Sequence, residues 1–419
     1  MKEQEEILEE VVANMDGSAS SPRINVGIDE FTLVLQPTPR VPIDMWAVEA
    51  QNIICEFISL SKIEELFGEM EVTHKLVQGY NSGFTLNRPF YFCICFNSEL
   101  EAMGVCCRFS AYSWASYQEE FYKKYDEVID LAQFLRMVQS DIYSQRVSRV
   151  DLTVDFFNMP NPIHQGQYLS PDTVYNCLIH GQMAVVDHKG VKNIKKFSAI
   201  NNQGEYETCY VGSRKGNTSG FLRIYDKKKE QEETHGFRYA DAIETQSWIR
   251  FEAVYKSPYS HQIGDALLDI YTKSDYECFI ASKILDKYVF KLSATDEVTY
   301  FSELLVMVAS GKEFESLECK SPRDNSLMQS LKYLVTNSGL YITLEKVRQL
   351  YPQQQAVEKV LKWLYEMFDE HYQEKLARAE NHEVDKWLKR HREETQKQKL
   401  DDILESVELE LLYSGEWRG

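Results

Sequence analysis

Apolar and polar residues alternate through Val26-Gly27-Ile28-Asp29-Glu30-Phe31-Thr32-Leu33-Val34-Leu35, a strand pattern closed by Pro37 and Pro39. Over residues 45–60 the apolar positions fall at helical spacing instead, and a short helix is predicted over 61–67. Two β-prone runs follow, 90–96 and 104–109, joined by a polar turn at 97–101; residues 119–135 read as a second helix. Further strands are predicted at 149–156, 209–212, 220–226 and 248–255. Strands in this order, interrupted by two helices, predict an α+β arrangement of antiparallel sheets backed by helices. Beyond about residue 258 long helical stretches dominate, at 327–336, 344–350 and 355–374, and the last fifty residues are charge-rich and predict an extended surface helix. Three segments are therefore expected: an acidic, disordered or loosely helical leader over 1–22, an α+β domain over 23–264, and a mainly helical region with a charged terminal helix over 265–419.

Composition narrows the class. Hydrophobic residues make up 43% of the 419, with 21 Phe and 25 Tyr, enough for a large core. No apolar run is long enough to span a bilayer, and the acidic, Ser-rich start lacks the basic and apolar parts of a secretory signal, so a cytoplasmic protein without membrane contact is expected. The nine cysteines, among them Cys93, Cys95, Cys106 and Cys107, sit in apolar runs with no paired CxxC spacing; they read as reduced, buried thiols. A net charge of −19 argues against general coating of nucleic acid. Between Lys189 and Lys229 the balance reverses, with Lys189, Lys192, Lys195, Lys196, Arg214, Lys215, Arg223, Lys227, Lys228 and Lys229 facing Glu205, Glu207 and Asp226. A local basic stripe in an acidic chain points to a defined groove for a polyanion.

Three segments carry candidate chemistry. In Arg149-Val150-Asp151-Leu152-Thr153-Val154-Asp155, strand alternation places Asp151 and Asp155 on one face and Val150, Leu152 and Val154 on the other. Two carboxylates on one face repel unless something positive sits over them, and a divalent cation, Mg²⁺ or Mn²⁺, is the expected partner. A hairpin follows, with its turn at Lys215-Gly216-Asn217-Thr218-Ser219-Gly220; its second strand places Arg223 and Tyr225 on one face with Lys227 after them. A phenol of pKa about 10 attacks phosphorus only with help, and neighbouring cations also stabilise the charge that builds up in the transition state. In Arg250-Phe251-Glu252, Glu252 is placed to complete a three-carboxylate site, and Glu230 is either a fourth carboxylate or the ion-pair partner of a Lys-rich turn. The sequence has no GxxxxGK[ST] loop, no GxSxG elbow and no His-hydrophobe-His pair, which excludes an intrinsic P-loop ATPase, an α/β-hydrolase and a histidine-ligated nickase.

The segments RVDLTVD, YVGSRKGNTSGFLRIYDKKKE and RFE, in this order, resemble the rolling-circle replication initiation factor family, which contains Gram-positive plasmid initiators and nicking relaxases of integrative conjugative elements. The resemblance runs from about residue 24 to 258; Ser110-Ala111-Tyr112-Ser113-Trp114 departs from the glycine-containing stretch common in the family. It implies an origin-specific nicking and rejoining enzyme in which Tyr225 forms a 5′-phosphotyrosine and leaves a free 3′-hydroxyl, with Asp151, Asp155 and Glu252 near a metal. Arg223 and Lys227 would assist, and Arg149, Arg214, Lys215, Lys228 and Arg250 would contact DNA that is single-stranded at the nick. Tyr210 is the alternative nucleophile. The resemblance further implies a homodimer, and as partners a host helicase for an initiator or a coupling protein for a conjugative relaxase. A non-catalytic origin-binding protein and a metal nuclease that releases free ends are the competing classes.

Overall fold

A computed structural model describes residues 4–39, 41–86, 92–190, 193–202, 204–215, 218–317, 327–336, 339–352, 354–368, 388, 392 and 395–414. The chain divides into two compact units, Met1–Glu318 and Cys319–Gly419.

The first unit is α+β. Its strands are β1 (Arg23–Pro37), β2 (Glu71–Val72), β3 (Ser82–Leu86), β4 (Phe92–Phe96), β5 (Val105–Phe109), β6 (Tyr143–Phe157), β7 (Met183–Val186), β8 (Asn193–Ile194), β9 (Phe197–Asn202), β10 (Glu205–Val211), β11 (Gly220–Asp226), β12 (Trp248–Lys256) and β13 (Val289–Leu292). Ten form one antiparallel sheet in the order β2-β3-β4-β5-β1-β6-β12-β11-β10-β9, and β13-β7-β8 form a small second sheet. The long strands β1 and β6 sit at the centre, where alternation sorts their side chains between two faces. Val26, Ile28, Phe31, Val150, Leu152 and Val154 line the apolar face. Helices Ile43–Ser61, Ala111–Tyr125, Tyr259–Leu267 and Lys273–Leu285 pack on the central strands β1 and β6. An aromatic cluster ties helix to sheet: Phe31 stacks on Phe109 at 4.7 Å and meets Trp114 edge-on at 5.0 Å, and Phe134 lies 5.7 Å from Phe31. Each such ring contributes roughly 1.5–3 kcal/mol through burial.

Several expectations are corrected. The leader contains a helix, Gln4–Ala13, because Ile7 and Val11 are apolar one turn apart and both bury in the core. The helix read over 119–135 is two helices, Ala111–Tyr125 and Leu131–Met137. Asp126 leaves the first in the left-handed conformation (φ 55°), and Asp130 starts the second with a capping box to Gln133. The first unit also runs past 264 to Glu318, since helix Lys273–Leu285 packs on β1 and β6 and β13 pairs with β7.

Two backbone features fix the strands around the polar face. Gly220 starts β11 where a Cβ would come within 2.7 Å of the Val254 carbonyl oxygen on β12. Asn158, at φ 54°, ends β6; its side-chain oxygen accepts from Gln246 N and Ser247 N, and its amide donates to the carbonyls of Ala19 and Ser21. That one side chain pins the end of β6 to the entry of β12.

In the second unit the described helices are Leu327–Thr336, Leu340–Leu350, Ala356–Met367 and Leu400–Ser414. This agrees with the helical character read for it. Most of the charged stretch 369–394 lies outside the described residues.

Candidate active site on the polar face of the sheet

The antiparallel register carries the polar residues of four strands onto one face. Tyr225 of β11 lies opposite Arg250 of β12, and Arg250 lies opposite Asp155 of β6, which pairs with Asn25 of β1. One step along, Arg223 lies opposite Glu252, Glu252 opposite Thr153, and Thr153 opposite Gly27. Asp151 pairs with Glu30, and a bulge between Ile28 and Glu30 inserts Asp29 beside them. Residues far apart in sequence thereby meet because each strand keeps its period of two.

The carboxylates on this face are buried, not exposed. Asp151 is 1%, Asp155 2% and Glu252 1% accessible. Burying a charge is costly unless it is paired, and arginines supply the pairing. Arg149 donates to both Asp151 oxygens at 2.9 and 2.6 Å. Arg250 grips Asp155 at 2.6 and 2.8 Å and also donates to Asp29 at 2.6 Å. Arg238 adds a third bond to Asp155 at 3.0 Å. Arg223 donates to both oxygens of Glu252 at 2.6 Å, and Arg108 and Arg149 both reach Glu30, at 3.1 and 3.0 Å.

The three acids expected to share an ion thus differ. Asp155 faces three guanidinium donors. Burial alone would raise its carboxyl, but Arg250 and then Arg238 outweigh burial and hold it below the usual range. At Asp151 burial wins: against the pull of Arg149, and with the neighbouring Glu252 adding like charge, the carboxyl is pushed up to about 8. Asp151 and Glu252 are therefore neighbouring acids of like charge, each held by one arginine, whereas Asp155 is held by two. Among the described residues no group of three His, Cys, Asp or Glu side chains stands at ligand spacing.

Tyr225 points into the polar layer and not into the apolar core. Its hydroxyl donates to Glu252 Oε2 at 3.2 Å, and its ring carries the Arg223 guanidinium at 4.7 Å and the Lys227 ammonium at 5.7 Å. Burial raises the phenol well above its ordinary pKa; Arg250 pulls it down and Glu252 pushes it up. At rest the phenol is protonated, with a carboxylate in place to accept the proton. Nε of Arg223 is buried without an acceptor among the described residues. A cleft of about 250 Å³ opens there, lined by Tyr210, Arg223 and Tyr225.

The other sequence candidates fall in different places. Lys227 is buried, 2.7 Å from Glu230, and the expected Lys-rich turn is the helix Lys227–Thr234, capped by the Asp226 side chain. Glu230 is therefore an ion-pair partner. Lys228 donates to the Ala242 carbonyl at 2.6 Å and pairs with Glu232 at 2.8 Å. Arg250 is 4% accessible and engaged by Asp155 and Asp29. Arg149 remains about one-third exposed, and Arg214 and Lys215 are exposed beside the hairpin turn, whose residues 216 and 217 lie outside the described set. Tyr210 lies opposite Arg223 in the β10–β11 register and shares the face of Tyr225. Sequence reading missed Asp29, Glu30, Arg108 and Arg238. The first two had a signal, adjacent acids inside an otherwise apolar central strand; Arg238, in a loop, had none.

Much of this polar face lies in a stretch that comparison also singles out. Residues 145–306, which contain β6, β11, β12 and every residue of the Asp151–Tyr225–Glu252 group, match the family model described as replication initiation factor. One solved structure similar to this chain, the rolling circle replication initiator protein from Geobacillus stearothermophilus, is 12% identical, with 70% of this chain and 100% of that chain covered at a TM-score of 0.47. No curated protein matches the chain. Among the described residues no helix is long and apolar enough to cross a membrane.

Proposed function

We propose that the protein nicks and rejoins one strand of origin DNA with Tyr225 as nucleophile, and so starts rolling-circle replication of a plasmid or other mobile element. The observation that carries this is the Tyr225 hydroxyl held 3.2 Å from the buried Glu252 carboxylate between two arginines. Glu252 accepts the phenol proton as Tyr225 Oη attacks the scissile phosphorus. The new P–O bond to tyrosine forms while the bond to the 3′ oxygen breaks, and that oxygen takes up a proton to become a free 3′-hydroxyl. One phosphoester replaces another, so the reverse attack reseals the strand without ATP. Arg223 and Arg149 neutralise the phosphate; Lys227 adds positive potential at the ring.

A divalent cation, Mg²⁺ or Mn²⁺, fits part of this face. Asp151 and Glu252 are a buried acidic pair whose mutual repulsion a cation relieves, and Mg²⁺ takes one or two carboxylates together with water and phosphate. Bound there it would supply Lewis-acid charge to the phosphate. Asp155 orients Arg250 and Arg238 in this scheme. The working assembly we infer is a cytoplasmic homodimer on origin DNA that is single-stranded at the nick, joined by a host helicase.

The test is incubation with supercoiled origin DNA and Mg²⁺ or Mn²⁺, followed by denaturing electrophoresis for a covalent protein–DNA adduct. Nicking with an adduct that disappears in Tyr225→Phe is expected. Persistence of the adduct in that variant moves the nucleophile to Tyr210, cutting without any adduct makes the protein a simple nuclease, and intact DNA makes it a binder.

A further inference from the structure

The polar face of β11 continues beyond the arginine. Phe221, Arg223 and Tyr225 occupy alternate positions of one strand, so Phe221 stands about 13 Å from Tyr225 on the same face. Tyr210 of β10 lies opposite Arg223. The Arg214 guanidinium rests over the Tyr210 ring at 4.2 Å, the Tyr210 and Phe221 rings are 6.2 Å apart, and the Lys256 ammonium lies 6.0 Å over Phe221. Both rings are half-buried and Arg214 is exposed, so the ridge opens to solvent.

This ridge differs from the layer next to it. Arg149, Arg238 and Arg250 are each engaged by buried carboxylates. Among the described residues neither Arg214 nor Lys256 has a carboxylate partner, and each lies over an aromatic ring. Accessible rings alternating with unpaired cations make up the surface that takes single-stranded nucleic acid: bases stack on the rings while cations follow the backbone. The cleft at Tyr225 is also lined by Glu207 and Glu230, which are paired with Lys229 and Lys227.

We propose that Tyr210 and Phe221, with Arg214 laid on Tyr210, form a stacking subsite for bases of single-stranded DNA adjacent to the phosphate held at Tyr225. The proposal rests on the nickase reading, and it makes Tyr210 a positioning residue and not the nucleophile. A stacking subsite is tolerant of base identity but requires a base.

The test uses full-length protein carrying Tyr225→Phe, so that binding is read without cleavage, and two fluorescent probes: a short oligothymidylate and the same sugar–phosphate chain without bases. The parent should prefer the probe with bases by about ten-fold to a hundred-fold. Tyr210→Leu, which keeps the buried apolar surface, should abolish most of that preference while leaving the melting temperature and the salt dependence in place, and Tyr210→Phe should retain it. A preference that survives Tyr210→Leu, or one lost in Tyr210→Phe, overturns the proposal. Failure of the nickase reading shows separately, as absence of a covalent adduct from protein with Tyr225 intact, and does not alter the base preference.

Discussion

Asp155 and Glu252 are both buried carboxylates paired with arginine, yet their neutralisation should cost different amounts of stability. In Asp155→Asn the isosteric amide turns a donor toward guanidinium groups that now make three charge-assisted bonds at 2.6, 2.8 and 3.0 Å. Breaking a buried pair from one side costs about 3–5 kcal/mol. Arg250 keeps Asp29 and Arg238 keeps Asp241, so the lower end, about 3 kcal/mol, applies. With about 2.1 cal/mol/K of unfolding entropy per residue over the first unit, the melting temperature falls by about 5 °C. In Glu252→Gln the partner Arg223 has 38% of its side chain exposed and rehydrates, while the like charge beside Asp151 disappears. The expected loss is about 1 kcal/mol or less, with nicking abolished. Differential scanning calorimetry of both variants at neutral pH, together with the adduct assay, measures the contrast. The pH dependence supplies a second reading. Asp155 titrates below its unfolded value, so its contribution is in force above about pH 4 and is lost as pH falls through the folded value. The gap between wild type and Asp155→Asn should therefore be flat from neutral pH down to about 4 and narrow below it. Equal melting shifts for the two variants, or a gap that widens in acid, would refute the division of the polar layer into an arginine-saturated half and a reactive half.

Asp151 carries the opposite sign: its folded value, about 8, lies above the unfolded one, so the stability it confers is complete below about pH 4 and is lost as pH rises toward 8. Stability of Asp151→Asn measured against wild type should accordingly improve across that window, and calorimetric Mn²⁺ titration of the wild type should show affinity rising with pH and a proton released on binding. Asn158→Ala removes five hydrogen bonds between the end of β6, the leader and the entry to β12; a loss of about 2–4 kcal/mol in denaturant unfolding is expected, and one below about 0.5 kcal/mol would contradict the pinning role. Lys215→Ala, at an exposed position on the hairpin, should weaken DNA binding by a similar factor for all sequences and lower the slope of log affinity against log salt by about one, read by fluorescence anisotropy.

Where local pattern carried the information, the sequence was readable. Period-two alternation sets Asp151 apart from Val150 and Leu152, and places Arg223 with Tyr225. The helix over 119–135 shows a readable signal overlooked: Asp130 and Gln133 form a capping box in the middle of that stretch. Other features had no local trace. Asp155 meets Arg238 and Arg250 across 83 and 95 residues of chain, and nothing near RVDLTVD announces that arginines answer its negative charge.

The sequence by itself determined the strands, the face on which each chemical side chain stands, and the α+β class, because these follow from periodicity and from residues within a few positions of one another. Only the tertiary structure decided which carboxylate is held by two arginines, which are held by one, and that the Tyr225 hydroxyl meets Glu252. Those outcomes depend on the order β1-β6-β12-β11 and on its register. A shift of one residue in that register would exchange the two faces, and strand order is set by long-range packing that no local window of the chain contains.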